Sequence, residues 1–233
     1  MSKTQPAERK TAAFFDVDGT IVKSTIVHYF VWLRVPLLPP ALRPFWMVQF
    51  APKVIYYLIL DKASRTKFNS VFYRNYKGLD VETLQHHSYE NFDTHLRPKI
   101  FPAALDRISE HRSRGDLVVL VSGSLNFIIQ PLADFLECDH ALTVQIHEEG
   151  GKFTGELTTP PLSGEEKARA VTEFAEHHGI DLAASYAYGD SSADLPMLQC
   201  VNHPVAVNPG KKFRRIALES SWEIQNWTLH PDP

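Results

Sequence analysis

The sequence predicts an α/β fold, a doubly wound and mainly parallel sheet that carries an inserted helical cap. Four short apolar runs each end in a turn rich in Gly, Ser, Asp or Asn, namely residues 12–17, 117–121, 185–188 and 205–207. Strands that alternate with helical patterns favour βαβ units. About a hundred residues separate the first run from the second, far more than one crossover connection needs. We therefore expect residues 24–98 to form the cap, and residues 12–23 and 99–233 to form the core.

Helical periodicity predicts three helices between these strands, at residues 103–114, 125–136 and 165–178. Gly115 and Gly179 follow the first and third of them, where a glycine commonly ends a helix. Ser124 precedes the second helix and is expected to cap its first turn.

Two further local patterns complete the predicted fold. Residues 143–147 and 152–157 flank a Glu-Gly-Gly turn, which predicts a hairpin or a pair of strands. Within the cap, residues 62–76 and 81–96 have helix-compatible sequences.

Composition argues against several classes of function. The chain has 233 residues, 24 basic and 27 acidic side chains and a net charge of −3, so nothing in its charge favours nucleic-acid binding. Cys138 and Cys200 lack the spacing of metal ligands, and we expect buried thiols in a reducing compartment. Residues 1–11 are polar and lack the apolar centre of a signal peptide, so a disordered tail and a cytoplasmic location are expected.

The most apolar part of the chain is not expected to cross a membrane. A spanning helix needs about 20 mostly apolar residues. The longest tract, residues 45–60, is shorter than that and contains a proline and a lysine. Peripheral contact with a membrane surface remains open.

Polar side chains follow the predicted strands, where ligands bind in open parallel sheets. They are Asp16 and Asp18 after the first strand, Ser122 after the second, and Asp190 and Asp194 after the third, with Lys167 near the start of the preceding helix. Clustered carboxylates repel each other unless a cation lies among them, and oxygen ligands favour Mg²⁺. A carboxylate nucleophile, a second carboxylic acid and a lysine are the groups that phosphoryl transfer requires.

Four motifs occur in the order typical of one enzyme superfamily. They are "DVDGT" at residues 16–20, "VSGS" at 121–124, Lys167 within "GEEKARAV", and "GDSSAD" at 189–194. With these motifs the chain resembles the haloacid dehalogenase superfamily of phosphatases, in the subfamily (IB) that includes the phosphoserine phosphatases. The resemblance covers about residues 12–218 and implies a Mg²⁺-dependent phosphoric monoester hydrolase that acts on a small-molecule phosphomonoester.

The resemblance implies a role for each motif residue. Asp16 is the nucleophile and a metal ligand, and Asp18 is the general acid and base with its backbone carbonyl on the metal. Asp190 is a further ligand of Mg²⁺. The remaining residues bind or balance the phosphate: Thr20 shapes the loop, Ser122 and the Gly123 N–H hold phosphate, Lys167 neutralises charge, and Asp194 supports the metal or orients Lys167.

Three positions depart from the pattern of the phosphoserine phosphatases. Thr25 stands where those enzymes have an acidic residue that pairs with the substrate ammonium, which argues against phosphoserine. Ala193 stands where they usually have asparagine. Their lysine commonly lies at a slightly different position, for which Ser163 is the corresponding candidate in this chain.

The cap sequence is unusually aromatic, and two explanations remain open. Its aromatic residues include Tyr29, Phe30, Trp32, Phe45, Trp46, Phe50, Tyr56 and Tyr57. They either form the core of the cap, or they form an apolar substrate pocket or a membrane-facing surface. An apolar or lipid-type phosphate is therefore a candidate substrate, and Arg65, Arg74 and Lys77 are candidates for recognising an anionic one.

Three alternatives to this function stay in view. The first is phosphoserine hydrolysis, and the second is phosphoryl transfer to another alcohol by the same groups. The third is a non-catalytic phosphate-binding or regulatory module, although buried carboxylates without a use would only cost stability.

Overall fold

A six-stranded parallel sheet forms the centre of the computed structural model, which describes residues 10–229. The strands within this range are β1 (Ala12–Asp16), β2 (Leu117–Leu125), β3 (His140–Val144), β4 (Ile146–Glu149), β5 (Lys152–Leu157), β6 (Tyr186–Gly189), β7 (His203–Val207) and β8 (Glu223–Gln225). The order in the sheet is β3-β2-β1-β6-β7-β8, and every pair is parallel. Strand β1 lies inside the sheet and all five of its residues are buried.

Helices make up the long insertion after β1 and connect the later strands. They are α1 (Ile26–Arg34), α2 (Arg43–Ala63), α3 (Arg65–Phe72), α4 (Val81–Glu90), α5 (Pro102–Arg114), α6 (Asn126–Phe135), α7 (Glu165–His178), α8 (Leu195–Leu198) and α9 (Lys211–Glu219). Helices α1 to α4 belong to the cap. The predicted cap segments 62–76 and 81–96 are each divided, since α3 passes into a 3₁₀ turn and α4 into a π-turn.

Both faces of the sheet carry helices. Successive residues of β1 point to opposite sides, so this strand packs against both helical layers. Phe15 stacks on Tyr188 with ring centroids 4.3 Å apart, in the same buried cluster as α5, α6 and the cap. Phe14 meets the edge of Phe174 from α7 at 6.3 Å, in a second cluster with α8 and α9. The predicted doubly wound α/β fold with a mainly parallel sheet is confirmed.

Two predicted helix C-termini are correct, and one predicted N-terminal capping residue is wrong. Gly115 and Gly179 adopt left-handed conformations, with φ of 81° and 65°, directly after α5 and α7. Ser124 does not cap α6. Strand β2 continues to Leu125, and the Ser124 hydroxyl bonds to Asp18 instead.

The predicted hairpin is only partly correct. Strand β5 has the predicted bounds and pairs with β4 in antiparallel fashion across Gly150 and Gly151. Residues 143 and 144, however, belong to β3, which joins the main sheet. Val144 is fully buried beside Leu125, so the apolar core draws this segment away from the hairpin.

Two residues of the expected tail, Lys10 and Thr11, take part in the fold. Most of the expected tail lies outside the described residues, but Lys10 pairs with Ile180 and the Thr11 hydroxyl donates to Asp116. Cys138 and Cys200 are free thiols and half-buried rather than buried. No helix within residues 10–229 has the length and hydropathy needed to cross a membrane.

Backbone hydrogen bonds join the cap to the core in two regions of the described structure. At the covalent connections, the Lys23 N–H donates to the Lys99 carbonyl at 2.9 Å, so the outgoing and returning chains lie side by side. At the second place, β5 lies along the end of the cap. The Gly78 N–H donates to the Phe153 carbonyl at 2.8 Å, and the Phe153 N–H donates to the Leu79 carbonyl at 3.0 Å.

Candidate active site

The loop after β1 is a tight turn that approaches another strand end closely. The N–H groups of Ile21 and Val22 donate to the carbonyl of Val17 at 3.0 Å. Gly19 adopts φ of +99°, and a Cβ atom there would lie 2.3 Å from Oδ2 of Asp190. Glycine is therefore favoured here for two reasons: the backbone has a positive φ, and any side chain would displace the Asp190 carboxylate.

Asp16 ends β1 at the carboxyl edge of the sheet and is 4% exposed. Its Oδ2 accepts a hydrogen bond from the Thr20 hydroxyl at 2.8 Å. Its Oδ1 is paired with the ammonium of Lys167. Each carboxylate oxygen is thus held by a different element, which fixes the orientation of the carboxylate.

Lys167 lies in the first turn of α7 and is 4% exposed. Its Nζ contacts Asp16 and also Oδ1 of Asp194, the latter at 2.6 Å. Oδ2 of Asp194 accepts from the N–H and hydroxyl of Ser191, at 3.2 Å and 2.9 Å. The structure thus places the ammonium of Lys167 against the candidate nucleophile, while Ser163 contributes only to the lining of the same cavity.

Asp18 is held by two serines of β2. Its Oδ2 accepts from the hydroxyl of Ser122 at 3.2 Å and from that of Ser124 at 2.7 Å. The register of β2 against β3 shifts between Val121 and Leu125, so the strand is irregular where these serines lie. Such irregularities often direct side chains towards an active site.

Burial raises the pKa of three acids of the site, and repulsion between carboxylates adds to the rise at Asp16 and Asp190. Burial, the charge of Asp194 and that of Asp18 together raise the pKa of Asp16 to about 7, although Lys167 opposes the shift. Burial raises the pKa of Asp18, and the hydrogen bonds from its serines reduce that rise. The pKa of Asp190 is raised well above its ordinary value by burial and by its acidic neighbours.

Lys167 shows the opposite balance. Burial alone would lower its pKa, but the carboxylates of Asp16 and Asp194 raise it above the ordinary value. The lysine therefore stays charged at neutral pH. Its single charge still leaves an excess of negative charge when the acids around it are ionised.

Three carboxylates lie close enough to share one cation. One oxygen from each of Asp16, Asp190 and Asp194 lies within 4.8 Å of the others. An all-oxygen set with excess negative charge fits Mg²⁺. The Asp18 side chain is outside this group, and its predicted contribution, through the backbone carbonyl, stays a prediction.

The cap closes over these groups and supplies part of the cavity. Ile26 of α1 and Arg65 and Asn69 of α3 line it, opposite Leu162 and Gly123 of the core. The approach is close, because a Cβ atom on Gly123 would lie 3.0 Å from Asn69 Nδ2. The Tyr73 hydroxyl also donates to the Gly123 carbonyl, which ties the cap to the predicted phosphate loop.

Thr25 provides no charge at the cavity. It caps α1, its hydroxyl accepting from the His28 N–H at 3.4 Å, and the next residue, Ile26, faces the cavity instead. Ala193 lines the cavity and its carbonyl accepts from the Gly164 N–H, so the absent asparagine leaves this loop tied down.

The aromatic cap residues do not line the cavity. Most are buried or half-buried within the cap, whereas Phe45 and Tyr56 are 61% and 52% exposed. Arg65 lines the cavity and Arg74 and Lys77 do not, so Arg65 is the one basic candidate of the cap at the cavity among the described residues. A pocket built from aromatic side chains is therefore not what the cap provides.

Sequence reasoning missed two residues of the site. The sequence predicts Ser124 as a helix cap, but Ser122 and Ser124 alternate along a strand, which places both hydroxyls on one side. Asn69 is 2% exposed and its Oδ1 has no hydrogen-bond partner in the described structure. Only the docking of the cap, which local sequence does not encode, reveals its position.

Comparisons with known proteins agree with this geometry. The profile of the haloacid dehalogenase-like hydrolase family matches residues 13–199. A probable phosphatase of Mycobacterium tuberculosis is 33% identical over 97% of this chain and 78% of its own length. A phosphoserine phosphatase of the same organism is 30% identical over 96% of this chain and 73% of its own length.

The fold has solved counterparts as well. A phosphoserine phosphatase determined as a phospho-aspartyl intermediate analogue superimposes with a TM-score of 0.68 at 19% identity, over 94% of each chain. That likeness supports the fold, and the family match covers the strands that carry the candidate site. By these matches the chain belongs to the haloacid dehalogenase-like hydrolases, as a phosphomonoester hydrolase related to the phosphoserine phosphatases.

Proposed function

We propose that the chain is a Mg²⁺-dependent phosphatase that forms a covalent phosphate ester on Asp16. One observation carries the proposal: a buried carboxylate, fixed by Thr20 and Lys167, faces the same cavity as Asp18. A fixed nucleophile beside a second acid is the arrangement that two-step hydrolysis needs.

In the first step, Asp16 attacks phosphorus and the bond to the leaving alcohol breaks. Asp18 gives its proton to the departing oxygen, a task to which its raised pKa suits it. In the second step, Asp18 takes a proton from water, and the water oxygen attacks phosphorus. The acyl phosphate bond then breaks, which frees inorganic phosphate and regenerates Asp16.

The surrounding groups balance charge during both steps. Lys167 offsets the negative charge of the phosphoryl oxygens, and Ser122 with the Gly123 N–H is expected to hold them. Asp16 and Asp190 would hold Mg²⁺ with the Asp18 carbonyl, and Asp194 would fix Lys167. When bound, Mg²⁺ would screen the repulsion between carboxylates and phosphate.

For the substrate we propose an apolar or lipid-type phosphate, and the support is the absence of an acid for a substrate ammonium rather than an aromatic pocket. The cap presents Ile26 at the cavity, and Thr25 is engaged in capping α1, so the cap offers no carboxylate there for a substrate ammonium. The nearest acid on the adjoining helix, Asp61, is already paired with Arg65 at 2.7 Å. Phosphoserine is the competing substrate. A relative named as a phosphoserine phosphatase supports it, and Arg65 at the cavity could pair with the substrate carboxylate.

The test of mechanism is Asp16→Asn with a generic aryl phosphate and Mg²⁺. An amide is a poor nucleophile and a poor metal ligand, so turnover should fall by at least about a thousandfold. Asp106→Asn, on an exposed face of α5, is the matched control and should keep full activity. Near-normal turnover by Asp16→Asn would reject the mechanism.

Beryllium fluoride with Mg²⁺ tests the non-catalytic alternative. It should perturb the NMR signals around Asp16 in the native chain and leave those of the Asn variant unchanged. For the substrate, phosphate release is compared across amino-acid, sugar, nucleotide and lipid monophosphates. A clear preference for phosphoserine would contradict the proposed substrate class but leave the mechanism intact.

A further inference from the structure

Helix α2 exposes an apolar surface that the catalytic site does not use. Nine of the thirteen large hydrophobic side chains that are exposed in the described structure come from α2 and the loop before it: Leu37, Leu42, Phe45, Met47, Val48, Ile55, Tyr56, Leu58 and Ile59. We call this set the α2 surface. So dense a concentration on one element marks an interaction site rather than scattered surface hydrophobics.

The helix is apolar on both its inner and outer sides. Its inner side packs in the cap, where Phe50 and Tyr57 are buried against Phe30 and Phe72. The outer positions also recur at helical spacing, since Val48, Ile55 and Ile59 are 72%, 62% and 64% exposed. The inner side alone accounts for cap folding, so the outer side needs a different explanation.

The exposed charges of α2 are all positive. They are the side chains of Lys53 and Lys62, on the same helix as the α2 surface. Asp61 is half-buried and already paired with Arg65, so it does not neutralise the lysines. The surface thus combines apolar and aromatic side chains with uncompensated positive charge.

The loop before α2 is fixed so that it extends this surface. The Arg43 side chain donates to the carbonyls of Leu38 and Pro36 at 3.1 Å and 3.0 Å. Those bonds hold the loop against the start of the helix. The helix itself is about 30 Å long, at 1.5 Å per residue over the 21 residues of α2, and the exposed Leu37 and Leu42 lie in the loop directly before it.

We propose that the α2 surface rests on an anionic lipid bilayer, with its apolar side chains in the interfacial region and its lysines among the head groups. The helix does not span, since none of those described is suited to do so. A helix that lies in the interface needs this combination of apolar, aromatic and basic residues. The proposal does not depend on the identity of the substrate.

A second copy of the chain fits the α2 surface less well. Lys53 is the middle residue of α2. A two-fold contact centred on the helix would therefore bring the two Lys53 side chains together. The exposed side of α2 has no acidic residue to pair with them, whereas anionic head groups provide that charge.

Co-sedimentation with lipid vesicles tests the proposal on the full chain. We expect binding to vesicles of phosphatidylcholine with 30–40% phosphatidylglycerol, and at least about tenfold weaker binding to phosphatidylcholine alone. The double variant Ile55→Glu/Ile59→Glu should lose at least about tenfold of this binding. Leu218→Glu is the matched control, because Leu218 on α9 is as exposed as Ile55, at 62%, and should bind like the native chain.

Two further measurements separate the possible outcomes. Lys53→Gln/Lys62→Gln should weaken binding to the anionic vesicles only. All variants should keep their thermal unfolding and their hydrolysis of a soluble aryl phosphate, so loss of binding is not loss of fold. Absent vesicle binding, equal binding by the Ile55→Glu/Ile59→Glu variant, or a dimer in sedimentation velocity that this variant dissociates would overturn the proposal.

Discussion

Ser124 donates a hydrogen bond of 2.7 Å to Oδ2 of Asp18, across 106 positions of sequence. The bond joins the irregular part of β2 to the loop after β1. It also acts on charge, because a donor to the carboxylate favours the ionised form and so lowers the pKa of Asp18. The second serine on this strand, Ser122, makes a longer bond to the same oxygen.

Replacing Ser124 should therefore shift the pH profile of hydrolysis. Loss of a hydrogen bond worth about 1 kcal/mol corresponds to about 0.7 of a pKa unit, so Ser124→Ala should raise the pKa of Asp18 by about that amount. As a general acid, Asp18 must be protonated in the first step, so the alkaline limb of kcat/KM should move to higher pH. Ser113→Ala, which removes an exposed hydroxyl bonded to the Glu110 carbonyl, should leave the limb in place. An unmoved limb in Ser124→Ala would argue against Asp18 as the acid.

Gly19→Ala should reduce turnover more strongly than it reduces the stability of the fold. The added Cβ would collide with Asp190, and a displacement of about 1 Å commonly costs about a hundredfold in turnover. The left-handed backbone adds about 1–2 kcal/mol to the loss of stability. Gly150→Ala is the control, because φ is also positive there, at +57°, but nothing lies within 4 Å. Comparable turnover in the two variants would contradict the close approach of Gly19 to Asp190.

Mg²⁺ should stabilise the protein more at pH 8 than at pH 5. The pKa of Asp16 is raised to about 7, so its folded form holds a proton that the unfolded form has lost, and stability falls as pH rises from about 4 towards 7. A cation that requires the ionised carboxylates recovers that loss only above this range. Melting temperatures with and without Mg²⁺ measure the effect.

The control for this measurement is Asp190→Asn, which should abolish the Mg²⁺-dependent shift at both pH values. Asp106→Asn should retain it. A shift of equal size at pH 5 and pH 8 would show that protons and the cation do not compete for these acids.

Acid should destabilise the fold through His111, away from the active site. The side chain is fully buried, with Nδ1 2.8 Å from Asp116 Oδ2 and Nε2 2.7 Å from the Tyr188 hydroxyl. Burial lowers its pKa despite the Asp116 carboxylate. The unfolded chain therefore takes up the proton first, and stability present above the unfolded pKa of about 6.5 is lost as pH falls towards the folded value.

His111→Gln tests this point through the pH dependence of its free energy of unfolding rather than through the absolute value of that free energy. The free energy of unfolding should fall less steeply between pH 7 and pH 5 in this variant than in the native chain. His147→Gln, at an exposed position on β4, is the matched control for the loss of a histidine side chain. A native slope in His111→Gln would assign the acid sensitivity to other groups.

Local signals in the sequence predicted those parts of the fold that local interactions determine. An apolar run predicts strand β1, and helical periodicity predicts α7. The ends of α5 and α7 follow from glycines that adopt a left-handed conformation. The meeting of Asp16 and Asp190 followed from a general property of parallel sheets, that strand ends converge at one edge, and Lys167 reaches the same edge from the first turn of α7.

Long-range pairing determined the parts that the sequence did not predict. Residues 143–144 pair with β2 because Val144 is buried beside it. The local sequence is compatible with Ser124 as a helix cap, and its hydroxyl instead bonds to the distant Asp18. In α2 the pattern is apolar on all sides, so periodicity could not separate the buried Phe50 from the exposed Val48.

The double attachment of the cap limits how substrate reaches the catalytic groups. The cap is tied along the paired chains at Lys23 and Lys99 and again along β5, so simple swinging about the covalent connections would break the backbone ladder at Phe153. Arg65 of α3 lines the cavity while its side chain is 40% exposed, so the cavity comes close to the surface beside α3. We therefore expect substrate and product to pass beside α3 rather than through a wide opening of the cap.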